Sequence, residues 1–170
     1  CSEMASRSAP RFWIWPQRWI CSRSQVSSVA LSVRWKKCDS DLGAFAAGWH
    51  QGRRGDADFP SLRLANLASL KHPLSVDTYV ENTLAGAKAI LIRLIGGQPY
   101  WAYGLLQVGA LARAQGIALA VLPADGREDP RLDAVSTVPL STLRQLQHLS
   151  DAGGPVAAQA ALAQLALAAG

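Results

Sequence analysis

Two short stretches of the chain carry side chains that could handle a ligand. The first holds Lys71, His72, Ser75 and Asp77: an ammonium, an imidazole able to ligate or to move a proton, a hydroxyl and a carboxylate, all around one turn. The second is the glycine pair Gly96 and Gly97, with Tyr100, Trp101 and Tyr103 just behind it. A glycine pair between an apolar run and a helix start lies where an open α/β sheet binds ligands, outside the carboxyl ends of its strands, and its backbone N–H groups can meet a carboxylate or amide. The three aromatic rings are able to stack on a flat ligand. Each feature also has a plainer reading. Ser75 is a good helix N-cap with Asp77 placed to meet the helix dipole, a glycine pair suits any tight turn, and aromatic residues opening a buried helix suit a core. The candidate substrate-binding residues are therefore Lys71, His72, Ser75, Gly96, Gly97 and Tyr100, with none assigned to catalysis and none to a metal.

Other chemistry is excluded by spacing. His50 and His148 complete no metal site. The acidic run Asp125, Glu128, Asp129 and Asp133 is interrupted by Arg127, Pro130 and Arg131, which breaks a calcium-loop pattern and reads as a solvated connection. Neither GxGxxG nor GxxxxGK[ST] occurs, so no dinucleotide or ATP phosphate is expected to bind to this chain. Cys1, Cys21 and Cys38 match neither a zinc nor a disulfide framework.

The net charge of +5 is concentrated at one end. Residues 1–38 carry seven Lys or Arg against Glu3 alone, whereas residues 39–170 carry ten against eleven Asp or Glu. The second part is close to neutral, which argues against a nucleic-acid partner. No run is apolar and long enough for a signal peptide or a bilayer span, so a cytoplasmic protein without a membrane partner is expected.

The first 38 residues contain four of the six tryptophans and show neither helical period nor sustained alternation. A disordered basic tail, a membrane-surface segment and codons read out of frame are the competing accounts, and the last is favoured by the abrupt compositional change at Asp39. From there the pattern becomes regular. A short helix from Asp39 or Ser40 to about Ala47 leads into the loop GWHQGRRGDADFP, and Leu62 and Leu64 mark a strand. Val76, Tyr79, Val80, Leu84 and Ala87 form one helical stripe capped by Ser75. KAILIRLI, Lys88 to Ile95, is a strand covered on both faces. Pro99 opens a helix that Gly116 stops, Ile117 to Leu122 is the next strand, and Leu143, Leu146 and Leu149 mark a helix between Ser141 and Gly153. Pro155 opens a final Ala- and Leu-rich helix. Strands alternating with helices of this length predict an α/β fold, a doubly wound and mostly parallel sheet of flavodoxin-like or Rossmann-like form with flanking helices, its first strand missing.

PSLRLANLASLKHPLSVDTYVENT (Pro60 to Thr83) resembles the large subunit of aerobic cobaltochelatase, a family related to the large subunit of magnesium chelatase. The likeness continues through AKAILIRLIGGQPYWAYGL (Ala87 to Leu105), GIALAVLPADGREDP (Gly116 to Pro130) and VSTVPLSTLRQL (Val135 to Leu146), and begins at DSDLGAFA (Asp39 to Ala46). It implies that residues 39–170 are the N-terminal α/β domain of a much longer subunit, truncated at its C-terminus. Such a subunit binds a tetrapyrrole, the corrin precursor hydrogenobyrinic acid a,c-diamide, and receives cobalt(II) for cobalamin biosynthesis, while AAA-type ATPase subunits supply ATP hydrolysis. The fragment itself is expected to bind neither cobalt nor ATP and to be inactive alone. The magnesium chelatase subunit and a free-standing α/β binding module are the alternatives.

Overall fold

The computed structural model of the chain describes residues 28–33 and 39–170, with side chains from Asp41 onward. Four strands, β1 (Ser28–Val33), β2 (Ser61–Asn66), β3 (Ala89–Leu94) and β4 (Ala118–Pro123), form one parallel sheet in the order β2-β1-β3-β4. The first strand, expected to be missing, is therefore present and central. SVALSV alternates Ser and Ala with Val and Leu over six residues, a strand pattern that is easily lost inside a long Trp- and Arg-rich string. The remaining readings of residues 1–38 concern positions outside the described residues.

The inner strands sort their side chains by parity. Ala89 and Leu91 of β3, with Ala118, Ala120 and Leu122 of β4, join one core with Phe45, Leu146, Ala161 and Leu165. Ile90, Ile92 and Leu94, with Leu119 and Val121, join the other core with Val76, Leu105, Val108 and Leu132. Ile90, Leu91, Ile92 and Leu94 are all sealed from solvent, and each such side chain contributes about 1.5–3 kcal/mol through burial. The first core lies under α1 (Asp39–Gly55), α5 (Leu140–Ala152) and α6 (Gly154–Ala169). The second lies under α2 (Pro73–Tyr79), α3 (Ala102–Gln115) and α4 (Pro130–Val135). Helices cover both faces, as a doubly wound sheet requires.

Several boundaries differ from expectation. α1 continues through the stretch read as a loop, because its glycines serve close packing: a Cβ at Gly48 would lie 2.5 Å from the Pro155 carbonyl oxygen, and one at Gly52 would lie 2.8 Å from the Phe59 ring. Trp49 Nε1 donates to the Pro60 carbonyl at 2.8 Å, fastening the end of α1 to the start of β2. The cap of α2 is His72, whose Nδ1 accepts from the Leu74 N–H, while Pro73 takes the first helical position and Ser75 lies inside the helix. Beyond Tyr79 the chain makes a π-helical turn, Val80–Leu84, and stops short of Ala87. The acidic connection contains α4, capped by Asp129 accepting from the Arg131 N–H. α5 starts at Leu140, so Ser141 is not its cap. Gly116 closes α3 with φ 67°, as read from the sequence. No helix among the described residues is long and apolar enough to cross a membrane.

Candidate functional site at the carboxyl edge of the sheet

β2 lies on one side of β1 while β3 and β4 lie on the other, so the switch of winding direction falls between the carboxyl ends of β1 and β3. Gly96 and Gly97 leave β3 at this point with φ of 90° and 69°. Both conformations exclude ordinary side chains, and at Gly97 a Cβ would also lie 2.8 Å from Asp129 Oδ2. The glycine pair is thus needed to turn the chain beneath the loop after β4. Tyr100 N–H donates to the Gly97 carbonyl at 3.2 Å, closing the turn that leads into α3.

Beside this turn is a recess of about 400 Å³, lined by Lys71, Val76, Pro99, Tyr100, Trp101 and Tyr103. Trp101 forms its floor: the indole is buried, and its Nε1 donates to the Leu70 carbonyl at 2.8 Å. That position exists because residue 104 is glycine, since a Cβ there would collide with the indole. Tyr100 and Tyr103 are the exposed walls. Tyr103 Oη donates to Asp77, 2.8 Å from Oδ1 and 3.0 Å from Oδ2, and this hydrogen bond, aided by the carboxylate charge, holds the phenol above its ordinary pKa. A neighbouring groove of about 470 Å³, lined by Asp77, Val80, Glu81, Tyr103, Gln107 and Leu111, shares Tyr103 with it.

Of the six residues named from sequence, the fold gathers Lys71 and Tyr100 in one recess and sets Gly96 beside Tyr100, where a Cβ on residue 96 would lie 3.7 Å from the Tyr100 Cβ. Gly97 faces Asp129 instead. His72 and Ser75 belong to the start of α2, where His72 spends Nδ1 on the cap and the Ser75 N–H donates to the His72 carbonyl. The recess can offer an ammonium to a carboxylate and ring faces to a flat apolar ligand. Among the described residues, no three His, Cys, Asp or Glu side chains are gathered to hold a metal ion.

A second polar centre lies on the opposite face of the same edge and was not singled out from sequence. Arg93, 4% exposed, projects from the penultimate position of β3. Its Nη1 donates to Asp41 Oδ2 at 2.6 Å and to the Ser150 carbonyl at 3.4 Å, and its Nη2 to Asp151 Oδ1 at 2.5 Å. Arg93 Nε and Ser150 Oγ have no hydrogen-bond partner among the described residues. The guanidinium joins the first turn of α1 to the end of α5. Its signal in the sequence is the one charge inside KAILIRLI's apolar run, since a charge in a strand buried on both faces needs a partner elsewhere. The acidic connection is likewise bound rather than free: Arg144 forks onto Asp133 at 2.7 and 3.2 Å and pairs with Glu128 at 3.4 Å.

Fold and edge together define a doubly wound α/β unit with an open recess at its carboxyl end. Its relatives are specific. The chain is 42% identical over 116 residues to the aerobic cobaltochelatase subunit CobN of a Sinorhizobium species, covering 68% of this chain and 9% of that protein. It is 44% identical over 97 residues to the Pseudomonas aeruginosa subunit of the same name, covering 57% of this chain and 8% of that one. A solved structure, the catalytic subunit of cobaltochelatase from Mycobacterium tuberculosis, superimposes with a TM-score of 0.63 at 24% identity, covering 84% of this chain and 10% of that chain, and supports the fold. No protein-family model matches. The chain is a partial-length relative of the aerobic cobaltochelatase large subunit, and spans about a tenth of the relatives' length.

Proposed function

We propose that these residues form part of a cobaltochelatase large subunit that binds hydrogenobyrinic acid a,c-diamide in the cytoplasm and accepts cobalt(II) as a substrate, with ATP hydrolysed by AAA-type partner subunits. The observation that carries this reading is the 42–44% identity to two proteins named as cobaltochelatase subunits. In this reading the recess beside Gly96 contributes to macrocycle binding: the Lys71 ammonium pairs with a peripheral carboxylate, and Tyr100 presents a ring face to the flat edge. Gly97 holds the turn that places Tyr100. His72 and Ser75 fix the first turn of α2 and, through it, the approach of Lys71. The metal-insertion chemistry lies on residues outside this unit.

The test is an absorbance titration of a full-length subunit carrying these residues with a metal-free corrinoid. Replacing both Lys71 and Tyr100 with Ala should weaken binding about tenfold or more, because a charge-assisted contact and a stacking face are lost together. Wild-type affinity in that double variant would remove the recess from the binding site. Absence of any corrinoid binding by the unaltered subunit would remove the chelatase reading itself.

A further inference from the structure

The two outer edges of the sheet are treated differently, and the difference marks an interaction surface. On β4 the outward backbone groups from the Ile117 carbonyl to the Val121 N–H are occupied. Thr137 Oγ1 accepts from the Leu119 N–H at 2.7 Å and donates to the Ile117 carbonyl at 2.8 Å, Thr137 N–H donates to the Leu119 carbonyl at 2.8 Å, and Ser136 Oγ accepts from the Val121 N–H at 3.0 Å. Two hydroxyl side chains and one backbone amide stand where a fifth strand would bond, and they close that edge from the Ile117 carbonyl to the Val121 N–H.

The outward groups of β2 follow from the register. Ala118 N–H donates to the Lys88 carbonyl, so the even-numbered residues of β3 face β4 and its odd-numbered residues face β1. With Val29 opposite both Ala89 and Leu62, Ser61, Arg63 and Ala65 turn their peptide groups toward β1, and Leu62, Leu64 and Asn66 turn theirs away. At both ends this outer row is capped, by Trp49 Nε1 on the Pro60 carbonyl and by Ser69 Oγ on the Asn66 carbonyl at 2.7 Å. Between the caps, the N–H and C=O groups of Leu62 and Leu64 and the N–H of Asn66 have no partner among the described residues. No proline or bulge interrupts the strand, and among the described residues Arg63 is the one charged side chain on it.

We propose that this gap is filled by a short extended segment of the same large subunit, from outside residues 28–170, which adds to β2 as a fifth strand. Three observations select that occupant. The relatives are about ten times longer than the matched stretch, so most of such a subunit lies outside this unit and can supply an extended segment. Arg63 is exposed and makes no ion pair among the described residues, so the segment should carry a carboxylate across from it. The gap offers only five backbone groups, a seam too short for the area that a stable dimer needs but sufficient for a tethered strand at high effective concentration. Leu62 and Leu64, half-buried against the α1 face, ask for apolar neighbours on that side of the segment. The inference depends on the homology to long subunits and not on the macrocycle reading.

Hydrogen exchange resolved to single amides, on a full-length subunit carrying these residues, tests it. The Leu62 and Leu64 amides are expected to exchange at least about a hundredfold more slowly than in an unstructured peptide, at every protein concentration. Exchange of these two within about tenfold of the peptide rate, while Arg63 and Ala65 stay protected, overturns the proposal. Protection that grows with concentration in step with dimer formation overturns it too, by showing a second copy as the occupant.

Discussion

The carboxyl edge of the sheet carries two polar centres, one on each face, and they have opposite characters. On the α1/α5 side, one guanidinium is sealed among Asp41, Asp151 and the Ser150 carbonyl. On the α2/α3 side, Lys71, Tyr100 and Tyr103 stand in solvent around a buried indole. Burial has turned the first set of charges into a joint between elements, whereas the second set stays in contact with water. Proximity to the switch point alone does not distinguish them; solvent access does.

The sharpest way to break this contrast is Arg93→Met. Removing one member of a buried ion-paired group leaves its partners uncompensated, and a loss of about 3 kcal/mol in unfolding free energy is expected. The lower end of the usual range applies because the Asp41 and Asp151 side chains keep 28% and 38% of their exposure and can rehydrate. Urea denaturation measures it, and a loss below about 1 kcal/mol would place the guanidinium among ordinary surface pairs. On the open side the largest expected effect is smaller. Gly97→Ala must adopt φ 69° and ψ −166° and approach Asp129, which should cost about 2 kcal/mol and displace Tyr100 from the recess. Full stability in this variant would show that the turn relaxes and that the glycine is not required.

How far the sequence discloses each region follows from the range of the forces involved. KAILIRLI and IALAVL announce buried strands because burial on both faces leaves a continuous apolar run, and Gly116 announces a helix stop because only its φ fits there. Local rules misplace the ends of α1 and α2. Gly48 and Gly52 look like loop residues until Pro155 and Phe59 pack against them, and Ser75 outranks His72 as a cap by residue type alone. The recess was half legible: Lys71 and Tyr100 belong to two strand ends that adjacent chain segments point toward, but nothing local shows that His72 is consumed by a cap. The Arg93 centre was hidden because its partners lie 52 and 58 residues away along the chain. β1 was hidden because six alternating residues carry little weight within a string that is otherwise irregular.

A milder perturbation tests the contrast between the sheet's two edges. Thr137→Val keeps the shape but removes an acceptor from the Leu119 N–H and a donor from the Ile117 carbonyl, and about 1 kcal/mol of stability should be lost. The Leu119 amide should also exchange faster than the Ala118 amide, which still bonds to the Lys88 carbonyl. Equal exchange of the two would mean that backbone contacts from Thr137 and Val138 close the edge without the hydroxyl.

The smallest effects are spectroscopic. Tyr103 is held above the ordinary phenol pKa by its hydrogen bond to Asp77, and Tyr79 is raised by burial with a partial offset from the Arg63 charge. A raised folded pKa means that the neutral phenol is favoured by folding, so this contribution is present below the unfolded value of about 10 and is lost as pH rises through the folded value. Alkaline titration of tyrosinate absorbance should therefore show two phenols ionising later in the folded protein than in urea. Asp77→Asn should bring Tyr103 down, whereas Arg63→Gln should push Tyr79 further up by removing the nearby positive charge. In a full-length subunit, a carboxylate docked across from Arg63 would cancel part of that charge, so Tyr79 should already ionise later there and Arg63→Gln should move it less. An equal shift in both contexts would show that nothing anionic faces Arg63 and would count against a strand added at that edge.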